Sequence, residues 1–140
     1  MSDPSFVSAQ RLRWALEQPL KAQVVVAGIY TSARCPWCIA LKKEQLAPRT
    51  KAQTGPGLIV VEFDIDDSAQ FSMPDGSRTT ARAWGQRHGL KLTPTVVMLD
   101  HLAKPLAEPL VGYSSRDFYA VYLEQQIEIA QRFWQNRRKP

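Results

Sequence analysis

Thr31-Ser32-Ala33-Arg34-Cys35-Pro36-Trp37-Cys38 carries both cysteines of a 140-residue chain. An unbroken apolar run, Val24-Val25-Val26-Ala27-Gly28-Ile29-Tyr30, leads into it, and Ile39-Ala40-Leu41-Lys42-Lys43-Glu44-Gln45-Leu46 follows as a helix. A Cys-x-x-Cys at a strand-to-helix junction is a redox pattern with a mechanism. Pro36 suits the first helical position, where its missing N–H costs nothing and its φ is already helical. Cys35 is then the N-cap, and its sulfur faces the open N–H groups of the first turn. Those donors and the positive helix end favour a thiolate, so Cys35 is the expected nucleophile. Cys38, one turn inward, is placed to resolve a mixed disulfide.

Outward from this stretch, Val24 to Tyr30 lacks alternation, as a central strand covered on both faces does. The helix is expected from about Pro36 to Ala47, with Pro48 and the Gly55-Pro56-Gly57 cluster breaking it. Leu58 to Ile65 reads as the next strand, so strand, helix and strand form a βαβ unit with parallel pairing and a right-handed crossover. Before it, Asp3-Pro4 reads as an N-cap and first helical residue of a helix from Pro4 to Gln18, ended by Pro19, within a helical segment 1–22. After it, 66–77 reads as a surface loop, or else a small insertion that shapes specificity, with a turn at Met73-Pro74-Asp75-Gly76. Thr80 to His88 is a helix stopped by Gly89, Val96 to Leu99 a strand, and Pro109 to Gly112 a short edge strand. Ser114 or Ser115 caps a long last helix. Phe118, Tyr122, Ile129 and Phe133 form one stripe on it, and Leu123, Ile127, Ala130 and Trp134 a second; both are read as core, with the last turns overhanging.

The length suits one domain spanning 1–140, with a basic helix end at 127–140. A formal net charge of +5 comes largely from Arg132, Arg137, Arg138 and Lys139, read as a solvated end. No nucleic-acid motif accompanies it, and no apolar run reaches membrane-spanning length. Residues 1–10 are polar and lack the apolar stretch of a signal peptide.

Four readings compete for the cysteine pair. Zinc would need four ligands, and His88 and His101 have no finger spacing. Two thiolates could hold a soft ion such as Cu(I) in a copper-handling or assembly module, although no methionine or histidine cluster adjoins them in sequence. A purely structural disulfide would close too short a loop to contribute much. Redox chemistry is favoured on the mechanics of the motif.

With Thr93-Pro94-Thr95 opening the apolar strand far downstream, the chain resembles the thioredoxin superfamily from about Ala15 to Gln126. The resemblance implies an α/β thioredoxin-like fold: a central mixed sheet with helices on both faces, a helix at the N-terminus and an extended one at the C-terminus. It implies a protein thiol–disulfide oxidoreductase without a bound cofactor, working on protein thiols and disulfides with an upstream electron donor, and a monomer. In that family a proline in the place of Pro94 is cis and lies beside the cysteines. The backbone of Thr93 is then expected to pair with an extended substrate segment. Trp37 either adds apolar contact to substrate or simply packs. Glutaredoxins share a Cys-Pro-aromatic-Cys motif, but their paired glycines are not matched; the chain offers only Gly112.

One departure stands out. Cytosolic members carry a buried Asp in the first strand and a Lys in the next, where this chain has Ile29 and Glu62. Glu62 is therefore a candidate for proton transfer near Cys38, with burial raising its pKa, or else a solvated or paired strand glutamate. Arg34 either lowers the pKa of Cys35 or points to solvent. The segment from Ala15 to Gln23 and the ending from Gly112 to Phe118 are similar to periplasmic thioredoxin-like proteins that keep partner thiols reduced. Localisation is accordingly expected to be periplasmic, from a trimmed or mature form, with cytoplasmic as the alternative.

Overall fold

β2 (Val24–Thr31) lies at the centre of a five-stranded mixed sheet in a computed structural model that describes residues 6–51 and 56–139. It pairs in parallel with β3 (Gly57–Asp64), Val24 opposite Gly57 and Thr31 opposite Asp64. On its other side it runs antiparallel to β6 (Thr95–Met98), with Tyr30 opposite Thr95. β1 (Phe6–Ser8) joins β3 in parallel, and β7 (Leu110–Val111) closes the opposite edge against β6. The strand order β1-β3-β2-β6-β7 explains why β2 is apolar throughout: from Val25 to Thr31 every residue is buried.

Side-chain alternation sorts the helices onto two faces. Phe63 stacks on Trp84 of α4 (Ala81–Arg87) with ring centroids 3.9 Å apart, and Phe71 packs against the same Phe63 ring. α1 (Leu12–Glu17) shares this face, through its packing on β3 and on the short hairpin that carries Phe71. Glu62, the neighbour of Phe63, points to the other face and pairs with Lys42. That face holds the cysteine helix and α5 (Arg116–Arg138), joined by an ion pair between Arg49 and Glu124. Glycine is needed where the α4 face is tightest. A Cβ on Gly85 would stand 2.4 Å from the buried Tyr30 ring, and one on Gly28 2.7 Å from Phe63.

Several elements differ from expectation. The chain begins with a strand, not a helix: Phe6 and Val7 complete the free edge of β3, and helix starts only after a 3-10 turn at Ala9–Arg11. Asp3 and Pro4 lie outside the described residues. The 66–77 segment is neither plain loop nor detached insertion. β4 (Phe71–Ser72) and β5 (Arg78–Thr79) make a two-stranded hairpin that sinks Phe71 and Met73 into the core.

Pro48 does not end the cysteine helix. α2 (Pro36–Leu41) widens over Lys42–Leu46, where the Ala47 N–H reaches back five residues to the carbonyl of Lys42, and continues as α3 (Ala47–Thr50). Proline lacks an N–H and crowds the carbonyl four residues back; a wider turn relieves both problems. On α5 the stripe containing Leu123, Ile127, Ala130 and Trp134 is buried; of the other, Phe118, Tyr122 and Ile129 are exposed and Phe133 packs half-buried against the core. Nor does the helix end overhang, because Arg138 donates to the carbonyls of Pro19 and Ala22.

Candidate active site

Cys35 is the N-cap of α2, with extended backbone at φ −121° and ψ 98° and Pro36 in the first turn. Its Sγ accepts the N–H of Cys38 at 3.1 Å, and the Cys35 carbonyl accepts the N–H of Ile39. The two cysteines form a disulfide across one turn, with their Cα atoms 5.2 Å apart. Cys35 is 8% exposed and Cys38 1%, so the outer sulfur is the accessible one. An N–H aimed at sulfur and an open helix N-terminus both stabilise negative charge on Cys35 once the pair is reduced.

The β2–β6 register brings the second sequence motif to the same end of the sheet. Thr95 faces Tyr30, so Pro94 falls beside Thr31, four residues before Cys35. The Thr93–Pro94 peptide bond is cis. Pro94 is buried, and its carbonyl accepts the N–H of Gly112 at 2.8 Å. Among the described residues the backbone groups of Thr93 have no hydrogen-bond partner. Trp37 is 62% exposed, on the outer side of the first turn.

Residues 10–127 match the sequence model of the thioredoxin-like domain. The chain belongs to the thioredoxin-like family. Solved structures agree at the level of the fold. Oxidised thioredoxin O2 from Arabidopsis thaliana is 17% identical, covering 88% of this chain and 95% of its own, with a TM-score of 0.56. A thioredoxin-fold protein from Helicobacter pylori is 16% identical over 87% and 85% of the two chains, with a TM-score of 0.57. The oxidised C-terminal domain of DsbD from Neisseria meningitidis is 17% identical over 86% and 97%, with a TM-score of 0.56. No curated protein sequence matches the chain significantly. A thioredoxin-like fold carrying a Cys-x-x-Cys disulfide supports thiol–disulfide oxidoreduction at the level of the family. No helix among the described residues is long and apolar enough to cross a membrane. Among them, too, no group of three or more His, Cys, Asp or Glu side chains is placed to hold a metal ion.

Around this thioredoxin-like centre stand contacts that sequence spacing did not reveal. Asp66, just past β3, accepts the N–H of Ala33 at 2.9 Å and pins the loop before Cys35. Glu44, on the cysteine helix, accepts the Tyr113 hydroxyl at 2.6 Å and pairs with Arg116 at 3.2 Å. Gln45, almost fully buried, donates to Tyr113 and to the Arg116 carbonyl. These partners are 68 to 72 residues apart, and only the fold joins them. Arg34 is exposed.

The hydrogen bond from Tyr113, aided by the charge of Arg116, holds the Glu44 carboxyl below its ordinary value of 4.5. A carboxyl lowered by folding adds stability that is present above its ordinary value and lost as pH falls through the lowered one. We therefore expect Glu44→Gln to reduce the urea midpoint at neutral pH, and the difference from the wild type to shrink as the pH falls below 4.5. A difference that does not change with pH would show that ionisation of Glu44 adds no stability through this contact.

Glu62 does not occupy a buried site. Its side chain is one-third exposed and lies 3.3 Å from Lys42 Nζ, in register with Ile29 across the sheet. Lys42 follows Cys38 by one turn on the same helix face. The paired strand glutamate is thus the arrangement observed.

Proposed function

We propose that this protein is a thiol–disulfide oxidoreductase acting on protein substrates, and that it serves as a reductase of partner proteins in an exported, periplasmic redox pathway. The observation that carries the reading is the Cys35 sulfur at a helix N-terminus, bonded to the N–H of the residue that supplies its partner sulfur. In the reduced state the Cys35 thiolate attacks one sulfur of a substrate disulfide and expels the other as a thiolate. Cys38 loses its proton and attacks the Cys35 sulfur of the mixed disulfide, releasing the second substrate sulfur. Two electrons have then moved to the substrate, and a donor dithiol restores the Cys35–Cys38 pair by the same exchange in reverse. The open backbone of Thr93, next to Pro94, pairs with an extended substrate segment, and exposed Trp37 packs against it.

Reduction of insulin by dithiothreitol tests the reading: the protein is expected to accelerate precipitation of the insulin chains catalytically. No acceleration, together with stoichiometric Cu(I) capture by the two thiols, would replace it with the copper-binding alternative.

Glu62, paired with Lys42, is the candidate to receive the Cys38 proton. Water also reaches this carboxylate, so its contribution lies at or below the low end of the range for positioned bases. Glu62→Gln is expected to slow resolution of the mixed disulfide by about tenfold to a hundredfold. Its pH profile should flatten in stopped-flow measurements, while the initial attack by Cys35 is unchanged. An unaltered profile would remove Glu62 from the mechanism.

A further inference from the structure

β7 forms one edge of the five-stranded sheet. In an antiparallel ladder, residues that exchange both hydrogen bonds alternate with residues that exchange none. Gly112 donates to Pro94 at 2.8 Å and Val111 stands opposite Thr95. The phase is thereby fixed: Val111 belongs to a non-exchanging pair, and its N–H and C=O point away from β6. Among the described residues neither group has a partner.

The flanks of this edge are apolar on both faces. Toward α5, the side chains of Leu110, Phe118, Tyr119 and Tyr122 line a hollow of about 330 Å³. Toward α4, Leu90, Leu92, Thr95 and Val111 line another of about 230 Å³. Pro109 and Val111 border both, so the hollows meet across the strand. Leu92, Val111, Phe118 and Tyr122 are each more than half exposed.

We infer that β7 receives an extended apolar segment of the substrate protein by strand addition. Main-chain bonds supply affinity in such docking, and pockets for alternate side chains supply selectivity. The residue set against Val111 exchanges both hydrogen bonds with it and lays its side chain over Leu92. The residues before and after it drop theirs into the hollow beside Phe118 and Tyr122. The segment recognised is therefore a tripeptide of apolar, any and apolar residues in extended form.

A second copy of this chain is the weaker occupant. β7 has two residues, with Pro109, which lacks an N–H, before them and Gly112 turning the chain at φ +76° after them. Self-pairing of so short an edge offers few main-chain bonds, whereas stable interfaces bury about 1,200 Å² or more. A substrate segment has further contacts to make, because the Gly112–Pro94 bond joins this edge to the open backbone of Thr93. The inference rests on the reading that protein disulfides dock beside Thr93.

The test uses the reduced protein and cysteine peptides carrying thionitrobenzoate as a mixed disulfide. In each exchange the Cys35 thiolate bonds to the peptide sulfur and coloured thionitrobenzoate leaves. One peptide set bears a leucine-threonine-leucine tract at varied distances from its cysteine; the control set bears serine-threonine-serine. The best leucine peptide is expected to react about tenfold faster than its control, equivalent to about 1.4 kcal/mol. Val111→Pro, which removes the outward N–H, and Phe118→Ser, at an exposed position, should each erase that advantage. Both should leave the rate with dithiobis(nitrobenzoate), which has no peptide, unchanged.

Equal rates for the two peptide sets, with the small disulfide still reacting, would overturn the docking inference alone. Failure of the small disulfide and of both peptide sets would overturn the exchange reading beneath it. A wild-type dimer that Val111→Pro converts to monomer in sedimentation would give the edge to a second copy and refute a substrate role. If Val111→Pro does not fold, Phe118→Ser and Tyr122→Ser decide by the same rates.

Discussion

Cys35→Ser is expected to abolish disulfide exchange, lowering the insulin-reduction rate by at least about 10³-fold, the scale on which loss of a covalent nucleophile is felt. Cys38→Ser gives the complementary result. Attack still occurs, but the mixed disulfide cannot be resolved, so substrate stays attached and intact-protein mass spectrometry detects the adduct. The asymmetry follows from position: Cys35 is the more accessible sulfur and accepts the Cys38 N–H, whereas Cys38 lies deeper in the first turn. For the same reason iodoacetamide should label reduced Cys35 well below pH 8.5, the ordinary thiol range, while Cys38 stays protected. If Cys35 titrates like a free cysteine, or if the adduct forms on Cys38 and not on Cys35, the roles assigned here are wrong.

Trp84→Ala is expected to destabilise the fold by about 3–5 kcal/mol, the cost of deleting a buried aromatic ring. The ring is 1% exposed, stacks on Phe63 with an interplanar angle of 8°, and donates from Nε1 to the Ala103 carbonyl at 3.2 Å. Truncation leaves a cavity against Phe63 and strands a buried acceptor. Gly85→Ala, beside it, acts by the opposite means, because a new methyl must displace the Tyr30 ring; overpacking of this kind costs about 1–3 kcal/mol. Urea melts with an unchanged slope and a lowered midpoint would confirm both. A loss below about 1 kcal/mol for Trp84→Ala would mean that the α4 face is far more pliable than its packing indicates.

The centre of the molecule was legible because its signals are local. Pro36 after Cys35 fixes a cap within four residues, and the unbroken run from Val24 demands cover on both faces. What escaped depends on distant partners. Phe6-Val7-Ser8 is too short to show alternation and becomes a strand only because β3 offers an open edge. Phe71 and Met73, two residues apart and both buried, did carry a strand-like signal, masked by the polar residues around them. Two stripes on α5 had equally good helical spacing, and periodicity alone does not say which one meets the sheet. For Glu62 the sequence leaves a buried and a paired reading open, and only the fold sets it beside Lys42. Asp66 and Tyr113 gave no hint, since nothing in their neighbours connects them to residues 33 and 44.

The widened turn at Lys42–Leu46 gives the cysteine helix two independent clocks. Each residue of a regular helix advances about 100°, so one surplus residue in the winding rotates everything after it relative to everything before. The disulfide and the sheet set the phase of the first half; Gln45 and Arg49, held by α5, set that of the second. Deleting a single residue here would close the turn to a regular helix and leave both the sulfurs and the Arg49–Glu124 pair in phase. A one-residue gap in an alignment with any relative whose helix runs uninterrupted belongs at this turn.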